Sequence, residues 1–374
     1  MASSNVARRP DGRWRARYRD LDGREHSRHF DRKVDAQRWL DEVTAALITG
    51  TYVDPNAGRV TLKEYAEAWR VGQVHRPSSA LHVETTLRRH VYPTFGAREL
   101  SSLRPSEIQA WVKRLTDGTE QQKPLAPATI AVVHGILAAV LKAAVRDRKL
   151  VSSPCKGIKL PKDPPRKLVP LTTSAVQALA EHVGPRYRAL VLLAAGTGLR
   201  QGEAFGLTLD RVDFLRRSVT VDRQLVVLPG HEPRLGPPKT RASYRTIPLP
   251  QVVAVALAEH VRRYPVEAGG PLFTGSEGTP LRRSRFSARI WRPAVKAAGL
   301  SGVVFHDLRH FYASLLIQHG ESVKVVQARL GHATAAETLD TYSHLWPDSE
   351  DTTRLAIDSV LGAVADSLRT ERAL

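Results

Sequence analysis

Six side chains carry the types that one kind of chemistry requires. Two imidazoles, a guanidinium and a phenol lie in His306-Asp307-Leu308-Arg309-His310, Leu330-Gly331-His332 and Thr341-Tyr342-Ser343-His344. Far upstream, Arg200 stands in Thr197-Gly198-Leu199-Arg200-Gln201-Gly202-Glu203, and Lys239 in Pro237-Pro238-Lys239-Thr240. The set fits displacement at a phosphodiester without a metal. A tyrosine oxygen can attack and hold the phosphoryl group covalently. Charge that grows on the non-bridging oxygens calls for fixed cations. Arginine suits this, because its planar fork matches two phosphate oxygens and stays protonated. The phenol must lose a proton and the leaving oxygen must gain one, so acid and base groups complete the kit.

Local context supports each position. Arg200 sits at a glycine-flanked turn, where backbone can approach a phosphate closely. Lys239 is expected on a hairpin loop between strands Ser218–Leu228 and Ser243–Leu249. His306 and Arg309 are three apart and predict one face of a helix running from His306 to His319. His332 follows Gly331 at a helix end. Tyr342 closes a short helix or turn from Thr334. His306 and His310, four apart, also read as half of a metal site. Against that, Arg309 would repel a cation, no glutamate stands between them and no cysteine helps. His310 and His344 receive no defined role, and Asp307 is expected to hold a helix end.

Composition points to a polyanionic partner. With 56 Lys and Arg against 37 Asp and Glu, the formal charge of the 374 residues is +19, spread along the chain rather than gathered in a tail. Nucleic acid is the partner such a surface favours, with plain solubility charge as the competing reading. Cys155 is the only cysteine, which excludes an intramolecular disulfide and a cysteine-cluster zinc site and fits a reducing compartment. No leader and no apolar run near ~20 residues is read, so a soluble, intracellular protein without membrane contact is expected.

The remaining elements can be read as what delivers a substrate to Tyr342. In residues 1–55, Trp14, Ala16 and Tyr18 alternate with Arg13, Arg15, Arg17 and Arg19, which is strand periodicity. Asp22-Gly23 is a hairpin signal, a second strand follows over Glu25–Phe30, and Val34–Leu47 has helical spacing. The arginine ladder is either a DNA-contacting face or a solvated one. Residues 60–152 read as four or five helices, beginning at a Thr61/Glu64 capping box, with one helix ended by Pro93 and Gly96. Residues 153–170 are proline-rich and basic, an extended linker. Residues 171–374 form the largest domain and end in an amphipathic helix over Asp351–Leu368.

These motifs, in order, resemble the tyrosine recombinase family, specifically the phage-type integrases. The resemblance rests on the Arg200 box, the Lys239 segment ending in Arg245-Thr246-Ile247-Pro248-Leu249, the His306 box, Leu330-Gly331-His332 and Thr341-Tyr342-Ser343-His344-Leu345. It extends over essentially the whole chain. It implies a multidomain, mainly α fold: a small N-terminal β-sheet-plus-helix domain that binds arm-type DNA (1–55), a helical, SAM-like core-binding domain (60–152) and an α+β catalytic domain (171–374). It also implies roles. Tyr342 forms a 3′-phosphotyrosyl link, Arg200 and Arg309 bind the scissile phosphate, and Lys239 protonates the 5′-oxygen. His306 assists proton transfer, His332 donates to the phosphate, and Glu203 supports the site. Two departures, Leu209 where the family often has Trp and Arg211 where an acidic residue is usual, touch no catalytic position.

The resemblance further implies double-stranded attachment sites, a homotetramer on DNA, no cofactor or metal, and action in the cytoplasm of a bacterial host. An excisionase and a host DNA-bending protein are possible partners. The C-terminal helix is expected to dock either on its own domain or on a neighbouring protomer. Alternatives are a DNA-binding protein of the same fold without activity, or a chromosome-dimer or transposon recombinase.

Overall fold

Three antiparallel strands, β1 (Asn5–Arg8), β2 (Trp14–Arg19) and β3 (Glu25–Phe30), open the chain in the order β1-β2-β3. They belong to a computed structural model that describes residues 5–20, 23–54, 56–120, 122–163, 168–346, 354–355 and 357–361. The chain divides into two compact units, Met1–Arg166 and Lys167–Leu374.

In the first unit, the period-two pattern of β2 turns Ala16 and Tyr18 onto helix α1 (Lys33–Ile48), where Ala36 and Leu40 complete a small core. Arg15, Arg17 and Arg19 take the other face, with Arg15 opposite His29 and Arg17 opposite Ser27. Arg13 precedes the strand rather than continuing the ladder. Arg17 and Arg19 reach Glu25 at 3.6 and 3.8 Å, loose and exposed pairs that leave the face basic. Gly23 has φ +79°, as the turn before β3 demands, while Asp22 lies outside the described residues.

Helices α2 (Leu62–Val71), α3 (Pro77–Thr86), α4 (Tyr92–Phe95), α5 (Pro105–Asp117) and α6 (Pro127–Arg146) share a second core, with Phe95, Trp111, Ile130 and Leu137 at its centre. The capping box at Thr61 and Glu64 forms. The helix ends before Gly96 as expected but runs through Pro93. A π-turn over Leu87–Val91 joins α3 to α4, and the Tyr92 N–H donates five residues back to the Leu87 carbonyl. The physical cause is Pro93, whose ring would clash with the carbonyl of Arg89 in a regular helix and which donates no hydrogen bond. By length and composition α6 could cross a membrane, contrary to the sequence reading. Its apolar side chains Ile130, Val133, Leu137, Val140 and Leu141 are instead packed in this core. The first part of the proline-rich segment is also packed. Ile158 and Leu160 lie on the helical core, and the Gln109 amide bonds both backbone groups of Lys159 at 3.0 and 2.9 Å.

The second unit begins with α7 (Thr173–His182), α8 (Pro185–Thr197) and α9 (Gln201–Phe205). The expected strand over Ser218–Leu228 is two strands. Following β4 (Val212–Asp213), β5 (Ser218–Val221) pairs with β4 and β8 (Arg245–Pro248), while β6 (Gln224–Val226) pairs with β7 (Arg234–Gly236). The break falls at Asp222 and Arg223, an ion pair at 2.7 Å that also engages Arg211. Then come α10 (Gln251–Arg263), α11 (Arg283–Phe286) and α12 (Arg292–Ala297). Between the last two, the same device recurs: a π-turn over Ser287–Trp291 ahead of Pro293. Helices α13 (Asp307–Gln318), α14 (Val323–Leu330) and α15 (Ala335–Tyr342) complete the unit. The expected helix over Asp351–Leu368 lies mostly outside the described residues. Within it, Leu355, Val360 and Leu361 are exposed.

Candidate active site

The Arg200 box is built by two helix ends. Helix α8 finishes at Gly198, whose φ of +64° turns the chain sharply and whose position against Tyr312 has no room for a Cβ. Two residues later Arg200 occupies the N-cap of α9, and its N–H donates to the Glu203 carboxylate at 3.0 Å. The Arg200 guanidinium donates to Glu203 (3.2 Å), the Ser243 hydroxyl (3.3 Å) and the Gly331 carbonyl (3.0 Å). Segments far apart in sequence thus converge on one side chain.

Glu203 is buried and also accepts from Arg245, at 2.9 Å on one oxygen and 3.3 Å on the other. Burial alone would raise its pKa. The hydrogen bond and charge of Arg245, with the backbone and charge of Arg200, hold it below the usual carboxylate range. Arg245 in turn donates to the carbonyls of Arg329 (2.8 Å) and Ser243 (2.9 Å). It therefore ties β8 to the end of α14. Gly331 closes that helix with φ +66°, and a Cβ there would meet the Ala242 carbonyl at 2.9 Å and the Arg245 side chain at 3.1 Å.

Arg309, on α13, is 2% exposed. It donates to the carbonyls of Gly198 and Leu330, both at 2.7 Å, which mark the C-terminal ends of α8 and α14. Burial and then the charges of Arg200 and Arg245 press its pKa down, while Glu203 counters them. The cluster thus holds three guanidiniums, of which Arg200 and Arg245 share the Glu203 carboxylate and Arg309 has only carbonyl partners, an excess of positive charge suited to an anion.

Tyr342, at the end of α15, is 1% exposed. Burial pushes its phenol up to about 12, against the pull of Arg309 and Arg200. Its hydroxyl lies 2.8 Å from Nδ1 of His310. His306 is at the N-cap of α13 rather than inside the helix as expected, and its ring meets that of His310 edge to face at 4.9 Å. Asp307 does hold this helix end, accepting from the Val304 N–H at 2.8 Å. His332 is buried, with Nδ1 2.9 Å from the Thr338 hydroxyl and Nε2 3.8 Å from the Glu337 carboxylate. His344 bonds the Leu168 carbonyl at 2.9 Å.

The structure therefore joins Arg200, Arg309, His306, His332 and Tyr342 through shared partners and mutual electrostatics. Lys239 is not among them. It is exposed, on the segment between β7 and β8; the two expected strands do pair antiparallel, β5 with β8, and β6 and β7 form a second hairpin within their connection. That connection is still anchored, since Thr240 bonds Ser243, the partner of Arg200, at 3.0 Å. Sequence reasoning missed Arg245, Ser243, Thr338 and the contact of His310 with the phenol. A signal existed for Arg245 and Ser243, which share a short segment with Lys239; none existed for Thr338.

Two outcomes follow from this geometry. Glu203→Ala leaves Arg200 and Arg245 without their shared anion and should lower stability by ~3–5 kcal/mol in urea unfolding. Burial, followed by neighbouring charges, holds His306 and His332 at about 4 instead of 6.5. The unfolded chain then binds protons there that the folded chain refuses. Their contribution is complete above 6.5 and is lost as pH falls from 6.5 toward 4, so the urea midpoint should drop across that window and drop less steeply in His306→Asn.

Comparison with known proteins places this geometry. Family models match along the chain: the phage integrase family over residues 170–348, the phage integrase N-terminal domain over 4–50, and the phage integrase N-terminal SAM-like domain over 61–116. The integrase of Mycobacterium phage D29 is 27% identical over 339 residues, which is 86% of this chain and 88% of that protein. The Tn1549 transposon integrase, solved in complex with transposon right end DNA, aligns with a TM-score of 0.67 at 22% identity and covers 81% of this chain and all of that one. A lambda integrase tetramer bound to a Holliday junction aligns with a TM-score of 0.56 at 19% identity over 89% of this chain and 96% of that one. With phage integrase family models matching residues 4–50, 61–116 and 170–348, and a site of arginines around a buried tyrosine, the chain belongs to the phage integrase family of tyrosine recombinases.

Proposed function

We propose that this enzyme is a site-specific DNA recombinase, an integrase that inserts and excises a phage or mobile element, with Tyr342 as its nucleophile. The observation that carries the assignment is a buried phenol beside arginines whose positive charge exceeds that of their one shared carboxylate. A DNA phosphate entering between them supplies the missing negative charge. Arg200 and Arg309 hold its non-bridging oxygens and stabilise the charge that builds in the transition state. Their guanidiniums are fixed in advance by Glu203 and by helix-end carbonyls, so little reorganisation is needed at the moment of reaction.

Attack by Tyr342 forms a 3′-phosphotyrosyl ester and releases the 5′-oxygen, to which Lys239 gives a proton. The exposed connection of Lys239 suits a group that must meet a leaving atom carried by the substrate. His306 assists proton transfer, and His332, oriented by Thr338, donates to the phosphate. The ester retains the energy of the broken bond, so religation needs no nucleotide cofactor.

The domain reading goes with this mechanism. Residues 1–55 are proposed to bind arm-type sites through Arg13, Arg15, Arg17 and Arg19, and residues 60–152 to bind the core site. Residues 153–170 link them to the catalytic domain, 171–374. The proposed assembly is a homotetramer on two duplexes, acting in the bacterial cytoplasm, with an excisionase and a host DNA-bending protein as its accessory partners.

On a nicked suicide substrate, the parent should form a covalent complex and Tyr342→Phe none; a complex in that variant would point to another nucleophile, and no complex in the parent would leave the inactive DNA-binding reading. Arg200→Lys should bind DNA yet cleave ~10²–10³-fold more slowly, because one point charge does not replace the fork. Deletion of residues 1–55 should abolish arm-site binding in a gel-shift assay while core-site cleavage persists; retained arm binding would refute the domain assignment.

A further inference from the structure

We propose that His310 is the general base that takes the proton of Tyr342. The inference rests on the reading of Tyr342 as nucleophile and adds the residue that activates it. Of the three imidazoles near the phosphate-binding arginines, His310 is the one whose nitrogen meets the reacting oxygen, with Nδ1 2.8 Å from the Tyr342 hydroxyl and ring centroids 5.6 Å apart. That distance is within direct reach for proton transfer. His332 has Nδ1 engaged by Thr338 and faces Glu337 with Nε2. His306 presents its ring to the ring of His310 instead.

The placement follows from helix geometry. His310 is the neighbour of Arg309 on α13, so the base and a phosphate-holding cation are carried on one rigid turn. Tyr342 is 1% exposed, and its proton must pass to a group already in contact. Burial, with the charge of Arg309, keeps the His310 imidazole neutral, while Asp307 works the other way and favours the charged ring. A neutral ring with its proton on Nε2 offers Nδ1 as the acceptor.

The step balances. The phenol O–H bond breaks and its proton passes to Nδ1 as the tyrosine oxygen bonds phosphorus. The bond from phosphorus to the 5′-oxygen breaks, and that oxygen takes a proton from Lys239. Religation runs the sequence backward. The 5′-hydroxyl returns its proton to Lys239, and the departing phenolate regains its own from the His310 imidazolium.

The test uses full-length protein and two suicide substrates, one with the native bridging oxygen and one with sulfur in the 5′-bridging position. A departing thiolate needs no proton, so the sulfur substrate relieves loss of an acid but not loss of a base. His310→Ala and the better-filling His310→Asn should bind DNA like the parent and cleave the oxygen substrate ~10²–10⁴-fold more slowly. They should stay slow on sulfur, while Lys239→Ala recovers there. Parent-like cleavage by His310→Asn would overturn the proposal, because a hydrogen-bonding side chain that accepts no proton would then suffice. Recovery of either His310 variant on sulfur would also overturn it and put His310 on the leaving-group side. Tyr342→Phe run in parallel keeps the two readings apart: a covalent complex in that variant sinks the nucleophile assignment, whereas unaffected His310 variants sink only the base.

Discussion

The carboxylate of Glu203, buried between Arg200 and Arg245, is the interaction on which the rest of the site depends. An unpaired charge at that depth would be costly, and a lone guanidinium equally so. Each is tolerable because the others are there. Glu203 is fully engaged, with one oxygen shared by both guanidiniums and the other taken by Arg245 and the Arg200 backbone. The same carboxylate caps α9 and orients the cation that precedes it, so a local helix rule and a long-range ion pair are satisfied by one side chain. The site remains underneutralised, and this is useful in an enzyme whose substrate is an anion.

Arg309 solves its burial differently. It lies against no carboxylate but against the carbonyls that end α8 and α14. Helix C-termini carry partial negative charge, and two of them aimed at one guanidinium substitute for an ion pair while leaving its other protons for a phosphate. The glycines at 198 and 331 make this possible. Both take the left-handed conformation that ends the helix and exposes the carbonyl, and both sit where a side chain would strike a neighbour. The glycines of the Thr-Gly-Leu-Arg and Leu-Gly-His motifs are thus parts of the cation-binding apparatus.

Much of this was legible in the sequence. Glycine turns and caps are local features, and they read correctly at Thr61 and Gly331. What escaped depended on pairing across the chain. The apolar run from Ser218 to Leu228 reads as one strand, because alternation does not reveal that its halves have different partners. Pro93 reads as a stop, yet a helix can absorb a proline by widening one turn, and Pro293 repeats the solution. His310 is adjacent to Arg309 in sequence, but its phenol partner is 32 residues away and no spacing rule connects them.

The buried phenol and the cations also rest on different foundations. Leu199, Ala204 and Ile247 fix Arg200 and Arg245 from the large core of the second unit. Tyr342 belongs to a smaller cluster with Tyr312, Ile317, Val326 and Leu330, to which Leu168, Leu345 and Trp346 add. Helix α13 spans both, since Leu308 and Phe311 face the first cluster and Ala313 and Ile317 the second. Arg309 and His310 belong to neither cluster. Relative placement of phenol and guanidiniums is therefore set by one helix whose two faces are packed into separate cores. Arg309 and His310, the latter in contact with the phenol, sit on the turn between those faces, where neither core can shift without moving the other.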